Sequence, residues 1–87
     1  MELKDTIPLM TSENYKDRFL AEYWQNKIRC RKLIEMCDKW DNGELEFTPT
    51  CSKDIYSSQI YYMTHYSNVL IARAKLENID LEVSANG

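Results

Sequence analysis

Two long stretches without glycine or proline constrain the fold of this chain more than any other feature of its sequence. The first runs from Ser12 to Asp41 and the second from Thr50 to Glu77. The 87 residues include only two glycines and two prolines, too few for the many tight turns of a sandwich or barrel. With 44% hydrophobic and 29% charged residues, the composition is that of one small globular domain. The sequence therefore predicts an all-α fold.

The first stretch predicts a helix over residues 11–42. Thr11 is placed as its N-cap, and Asn42-Gly43 is a stop signal, with Gly43 as the left-handed residue that ends the helix. Apolar side chains recur at steps of three and four residues, which predicts one helix with two apolar rows. The main row is Phe19, Tyr23, Cys30, Leu33, Cys37 and Trp40, and the second row is Leu20, Trp24 and Ile34.

The second stretch predicts a helix over residues 52–78, after a connector at 43–51. A connector this short makes the two helices antiparallel neighbours. The apolar row of the second helix is Tyr56, Ile60, Met63, Ser67, Leu70 and Ala74.

The ends of the chain show weaker patterns. Residues 1–10 contain Pro8 and have no clear period, so we expect an arm. In the tail, 79–87, the segment Ile79–Val83 alternates apolar and acidic residues, as in a short strand or an extended tail. Residues 1–87 then form a single helical domain, a long antiparallel two-helix hairpin with an N-terminal arm and a short C-terminal extension. Because such a hairpin leaves apolar rows uncovered, we expect a homo-oligomer.

Charge and cysteine content exclude several classes of protein. Lysine and arginine number 11 against 14 aspartates and glutamates, a net charge of −3, which argues against general binding to duplex nucleic acid. No segment has the apolar length of a secretory signal or a membrane span. Three cysteines are an odd number in a chain without a secretory signal, which favours a reducing, cytoplasmic location.

The sequence also lacks the usual motifs of metal binding and catalysis. There is no Cys-x-x-Cys pair and no second histidine beside His65, so the sequence predicts neither a metal site nor a cofactor. A glycine-rich phosphate loop and a Gly-x-Ser-x-Gly elbow are also missing from the sequence. We expect a protein that is not an enzyme.

A basic cluster on the first helix has two interpretations. It comprises Lys27, Arg29, Arg31 and Lys32. Lys27 and Arg31 share a face with Glu35, which allows a ladder of ion pairs at four-residue spacing. Trp24 lies one short turn before Lys27, and a cation beside an aromatic ring suits a nucleotide. The cluster is therefore either a solvated face or a local anion site.

Tyrosines are concentrated in the second helix. Tyr56, Tyr61, Tyr62 and Tyr66 lie there, and tyrosine suits both subunit interfaces and pockets for planar ligands. Tyr66 and Arg73 are seven residues apart and share a face, as one stacking group and one phosphate-binding group would.

Two segments resemble a known protein family. They are Tyr15–Tyr23 with Lys27-Ile28-Arg29 behind it, and Phe47–Cys51 followed by Gln59, Met63, Tyr66, Leu70 and Arg73-Ala74. This pair resembles a family of small proteins encoded by tailed phages and prophages of gut and clostridial bacteria and named after a crAss-like phage product. The match covers residues 2–81.

The second helix is also similar to the helical hairpin of phage anti-CBASS sponges, which sequester cyclic oligonucleotide immune signals between subunits. The matching residues are Ile71-Ala72-Arg73, Asn68, Tyr66 and Cys51. This resemblance implies that Arg73 contacts a phosphate or a subunit. The spacing from Cys51 to Arg73 and the tyrosine-rich middle differ from that family.

These observations lead to a hypothesis and an alternative. The hypothesis is a phage-encoded anti-defence protein, acting in the cytoplasm of the bacterial host cell, that sequesters a nucleotide second messenger such as a cyclic oligonucleotide. Its candidate ligand-binding residues are Tyr62, Tyr66 and Trp24 for the bases, and Arg73 with Lys27 or Arg31 for the phosphates. The alternative is a non-enzymatic inhibitor or adaptor that binds a bacterial defence protein directly. A structural accessory protein of the virion is a third possibility.

Overall fold

Two long helices joined by a short connector form the frame of the molecule. A computed structural model describes residues 1–82 and contains a 3-10 helix at Leu3–Thr6, followed by α1 (Ile7–Met10), α2 (Tyr15–Asp41) and α3 (Lys53–Leu76). No strand occurs within residues 1–82, which confirms the all-α class. Residues 79–82 are not a strand, and the rest of the predicted tail, from residue 83, lies outside the described residues.

The start of α2 differs from the prediction. Its N-cap is Asn14, whose side chain accepts a hydrogen bond from the backbone N–H of Lys16 at 2.9 Å. The hydroxyl of Thr11 instead donates to the carbonyl of Ile7 at 2.9 Å and so closes the end of α1. The predicted N-cap at Thr11 is therefore wrong, because that hydroxyl serves the preceding helix. The predicted end is confirmed, with Asn42 as the C-cap and Gly43 at φ +73.

The N-terminal arm is helical and packs on α2. Thr6 is only 1% exposed. Its hydroxyl donates to the carbonyl of Leu3 at 2.7 Å and accepts a hydrogen bond from the Gln25 side chain at 2.9 Å. Four-residue helices are too short to show a helical period in sequence, which explains why the arm looked irregular.

The apolar row predicted for α3 faces α2. Leu70 and Ala74 are buried, and the other four members of the row are half-buried. Ser52 caps the helix by accepting a hydrogen bond from the N–H of Ile55. After Asn78, which has a φ of +57, the chain turns back and buries Ile79.

The two long helices are antiparallel, as predicted. Near the connector, the rings of Trp40 and Tyr56 lie 6.2 Å apart edge to face, while at the far end Arg73 lies over the ring of Phe19. The main core lies at this far end, where Leu9 of the N-terminal arm and Ile79 pack against the hairpin. It consists of Phe19, Leu20, Tyr23, Leu70, Ala74 and Ile79. The middle of the hairpin is more polar, and this is where the candidate site lies.

Burial predicts different costs for the same substitution at two isoleucines of α2. Ile28 has no exposed surface, whereas Ile34 is 39% exposed. We expect Ile28→Ala to lower the free energy of unfolding by about 2–5 kcal/mol because it leaves a cavity. Ile34→Ala should cost about 1 kcal/mol or less, because its side chain is already partly in water. Urea unfolding of both variants measures the difference, and equal costs would contradict the burial seen here.

Candidate functional site

A groove runs along one side of the hairpin between α2 and α3. Its volume is about 350 Å³, within the range of small-molecule sites. We call it the α2–α3 groove. α2 contributes Lys27, Cys30, Arg31, Ile34 and Glu35, and α3 contributes Thr64, Ser67, Asn68 and Ile71.

Asn26 holds the two walls of the groove together. Its side-chain amide donates to the backbone carbonyl of Met63 and to the hydroxyl of Ser67, both at 2.8 Å. The sulfur of Cys30 and the hydroxyl of Thr64 make a weaker polar contact at 3.8 Å. Because Ser67 accepts from Asn26, its own O–H is left to donate to a ligand. The two walls of the groove are therefore joined by hydrogen bonds, and the α3 wall presents three neutral polar side chains.

Two cations, Lys27 and Arg31, border the groove without a carboxylate partner among residues 1–82. The ion pairs within residues 1–82 are Lys53–Asp41 at 3.1 Å and Arg73–Glu77 at 2.8 Å. The spacing allows a ladder of ion pairs from Lys27 through Arg31 to Glu35. That ladder is not formed in the described part of the chain. The Lys27 ammonium lies 5.8 Å from the centre of the Tyr23 ring. Positive charge is therefore left available at the groove.

The basic cluster is divided between two sides of the hairpin. Arg29 and Lys32 line a second cavity, of about 400 Å³, whose lining is otherwise mostly apolar. There they share the lining with one neutral polar side chain, Gln59, whereas the α2–α3 groove offers three. The groove is therefore the better equipped of the two to hold a polar anion.

Arg73 is engaged in the structure away from the groove. Its Nε donates to the Glu77 carboxylate at 2.8 Å, and its guanidinium carbon lies 4.9 Å from the centre of the Phe19 ring. The hydrogen bond to Glu77 raises the pKa of Arg73 above its ordinary value, against the opposing effect of desolvation. The structure does not bring Arg73 together with Lys27 and Arg31.

The three candidate aromatic residues also lie outside the groove lining. Trp24 is half-buried, and its indole N–H donates to the carbonyl of Leu81 at 3.1 Å. Tyr62 and Tyr66 are exposed on a different side of α3 from the groove residues. Of the predicted ligand-binding residues, the structure places Lys27 and Arg31 together in one site.

Sequence reasoning missed several groove residues. Thr64, Ser67 and Asn68 were not predicted from the sequence as ligand-binding residues. A signal was present, since Ser67 interrupts the apolar row of α3. A hydroxyl at such a position needs a polar partner, and that partner, Asn26, marks the groove wall.

The remaining titratable groups do not form a metal site. Within residues 1–82 no three histidine, cysteine, aspartate or glutamate side chains are placed to hold a metal ion. The pKa of Cys37 is raised by burial and by the nearby Asp41 and Asp38 carboxylates, so its thiol stays protonated at neutral pH. None of the helices in this part of the chain is long and apolar enough to cross a membrane.

The fold and the site together define a small all-α protein, a helical hairpin with a groove between its long helices that two cations border. The Sequestin family model matches residues 13–76, which contain the whole of both long helices and every residue of the groove. The chain belongs to the Sequestin family. No match was found among curated proteins or among solved structures.

The surroundings of Arg73 and Arg31 predict different effects of their removal on the melting temperature. Arg73→Ala loses both the Glu77 contact and the contact with Phe19, so we expect a lower melting temperature. Arg31→Ala removes a side chain with no protein partner among residues 1–82 and should leave the melting temperature unchanged. Thermal unfolding followed by circular dichroism compares them. Glu77→Gln combined with Arg73→Ala should add little further loss, and full additivity would mean that the pair is not coupled.

Proposed function

We propose that this protein is a phage-encoded anti-defence protein that binds and sequesters a nucleotide immune second messenger, a cyclic oligonucleotide or a related signal. The proposed setting is the cytoplasm of the bacterial host cell, and the proposed binding site is the α2–α3 groove. The family name Sequestin supports a sequestering role. The observation that carries the choice of ligand is the pair of unpaired cations, Lys27 and Arg31, at the edge of a groove of nucleotide size.

The groove offers each kind of contact that a nucleotide needs. The planar guanidinium of Arg31 suits two parallel hydrogen bonds to a phosphate, and Lys27 adds a second positive charge. On the opposite wall, the Asn68 amide is able to donate to and accept from a base edge or a ribose hydroxyl. Ile34 and Ile71 supply apolar surface against which a base packs.

Glu35 determines which way round a nucleotide would lie in the groove. Its carboxylate lines the same groove and repels a phosphate placed beside it. It accepts hydrogen bonds from an exocyclic amine or a sugar hydroxyl. We therefore place the phosphate near Lys27 and Arg31, with the base or sugar directed toward Glu35.

We also propose binding without turnover. The groove lining contains one thiol, that of Cys30, which is buried and in contact with Thr64. The histidine of the chain, His65, is not part of that lining. Among residues 1–82 no hydrogen bond joins the Thr64 or Ser67 hydroxyl to the Glu35 carboxylate, so the groove is suited to holding a ligand rather than cleaving it.

A thermal-shift screen tests this proposal directly. The purified protein is mixed with cyclic dinucleotides, cyclic trinucleotides and ADP-ribose isomers. A ligand present at a hundred times its dissociation constant stabilises the folded state by about 2.7 kcal/mol. For a chain of this size, that raises the melting temperature by about 10 °C or more. If no member of the panel shifts the melting temperature, the proposed ligand class is wrong.

Matched arginine variants locate the site once a ligand is found. Arg31→Ala should weaken binding by about tenfold or more, because it removes a charged hydrogen-bond donor to the phosphate. Arg29→Ala removes the same charge from the other side of α2 and should leave binding within about threefold of wild type. Isothermal titration calorimetry measures both. Equal losses would point to a diffuse charge effect and away from the groove.

A second candidate function is favoured by the exposed tyrosines. Tyr61 and Tyr62 pack edge to face with ring centres 5.3 Å apart, and each is about two-thirds exposed. Aromatic side chains on a rigid helix suit contact with another protein. The alternative is thus an inhibitor or adaptor that binds a bacterial defence protein. It predicts capture of that protein from infected cells and no response to the nucleotide panel.

A further inference from the structure

The side of α3 that points away from α2 carries a regular apolar repeat. Ile55, Tyr62, Val69 and Leu76 follow one another at intervals of seven residues along the whole helix. All four are exposed, from 45% for Val69 to 84% for Leu76. We call this surface the outer face of α3. Such spacing keeps side chains on one line of a helix and is typical of helices that pack lengthwise against another helix.

A second row on the outer face has the same interval and smaller or more polar side chains. It consists of Ser58, His65 and Ala72, all exposed. Each lies three residues after a member of the first row. Together the two rows form the a and d positions of a heptad pattern, with a larger apolar side chain at each a position.

We propose that a second copy of this chain packs its α3 antiparallel against the outer face of α3, forming a twofold dimer. The sequence predicts a homo-oligomer, and this inference gives it a surface and an orientation. It rests on the pattern of sizes and charges along α3.

The sizes along α3 are self-complementary in the antiparallel arrangement. With the twofold axis between Tyr62 and His65, Tyr62 of one copy lies opposite His65 of the other. In the same register, Ile55 lies opposite Ala72 and Val69 lies opposite Ser58. Three of the four larger side chains therefore meet a smaller or more polar one, while Leu76 falls opposite position 51, before the start of α3.

The charges on α3 select the same orientation. Asp54 lies in its first turn and Lys75 in its last, at equivalent positions of the heptad pattern. In the antiparallel register, Asp54 of each copy faces Lys75 of the other, which makes two ion pairs per dimer. In a parallel dimer Asp54 would instead lie beside Gln59 of the other copy, and the position facing Lys75 would fall beyond the end of α3, so neither ion pair would form. Opposed helix dipoles add to the preference for the antiparallel dimer.

The proposal is tested by the mass of the protein in solution across a concentration series. The wild type should dimerise, or form a larger oligomer containing this dimer, as seen by light scattering and sedimentation equilibrium. Val69→Glu places a carboxylate in the apolar interface and should raise the dissociation constant by about tenfold or more. Ile7→Glu makes the same kind of change at a 53% exposed site on α1 and should leave the mass unchanged.

Charge reversal tests the orientation. Asp54→Lys and Lys75→Glu should each weaken the dimer, and the double variant should restore it, because the two ion pairs are then re-formed with exchanged partners. A wild type that stays monomeric, or a Val69→Glu oligomer of unchanged mass, would overturn the proposal. If the two single variants weaken the dimer and the double variant does not restore it, the antiparallel register is excluded.

Nucleotide binding is measured separately on Val69→Glu, whose substitution lies outside the groove. If the nucleotide panel fails while the mass experiments succeed, the proposed ligand is wrong and the dimer stands. If the panel succeeds while the wild type is monomeric, the proposed function stands and the dimer is wrong. The two failures are therefore distinguishable.

Discussion

The side-chain amide of Asn26 is the interaction on which the rest of the hairpin depends. It donates to the Met63 carbonyl and the Ser67 hydroxyl, so it satisfies both of its N–H groups across the helix interface. Apolar side chains alone allow two helices to slide past one another at small cost, whereas a buried amide has few positions in which both hydrogen bonds form. Asn26 therefore sets the register of α2 against α3. The position of the groove walls, with Lys27 and Arg31 facing Asn68, follows from that register.

A two-helix hairpin leaves apolar surface uncovered. In this protein other segments of the chain cover part of that surface, and the rest stays exposed to solvent. The second row of α2 is partly covered internally, since Leu9 of α1 and Leu81 of the tail pack against the core that includes Leu20. Those contacts cover part of the second apolar row that the sequence shows on the first helix. Nothing in residues 1–82 covers Tyr62 and the rest of the outer face of α3 in the same way. The case for a second copy thus rests on α3 and not on α2.

The sequence was sufficient for the two long helices because spacing and the absence of glycine and proline are local signals. It was not sufficient for Thr11, because the choice between capping α2 and closing α1 depends on a four-residue helix with no period of its own. The site was predicted in part. Lys27 and Arg31 follow from helical spacing, as does the pairing of Arg73 with Glu77 four residues on, but spacing does not reveal that Phe19 engages Arg73 or that Leu81 engages Trp24. Those competing partners come from tertiary structure and from turns beyond the end of α3.

The groove and the outer face lie on different sides of one helix, and this separation limits how ligand binding and assembly are able to influence each other. A ligand changes the dimer equilibrium only if it binds the dimer and the monomer with different affinities. Thr64 and Asn68 contact the groove from α3, while Tyr62 and Val69 belong to the outer face. Any coupling must therefore pass through the position or rigidity of α3 itself. Because Asn26 already holds α3 against α2, the groove wall is formed in the single chain, and all nine residues that line the groove come from one copy.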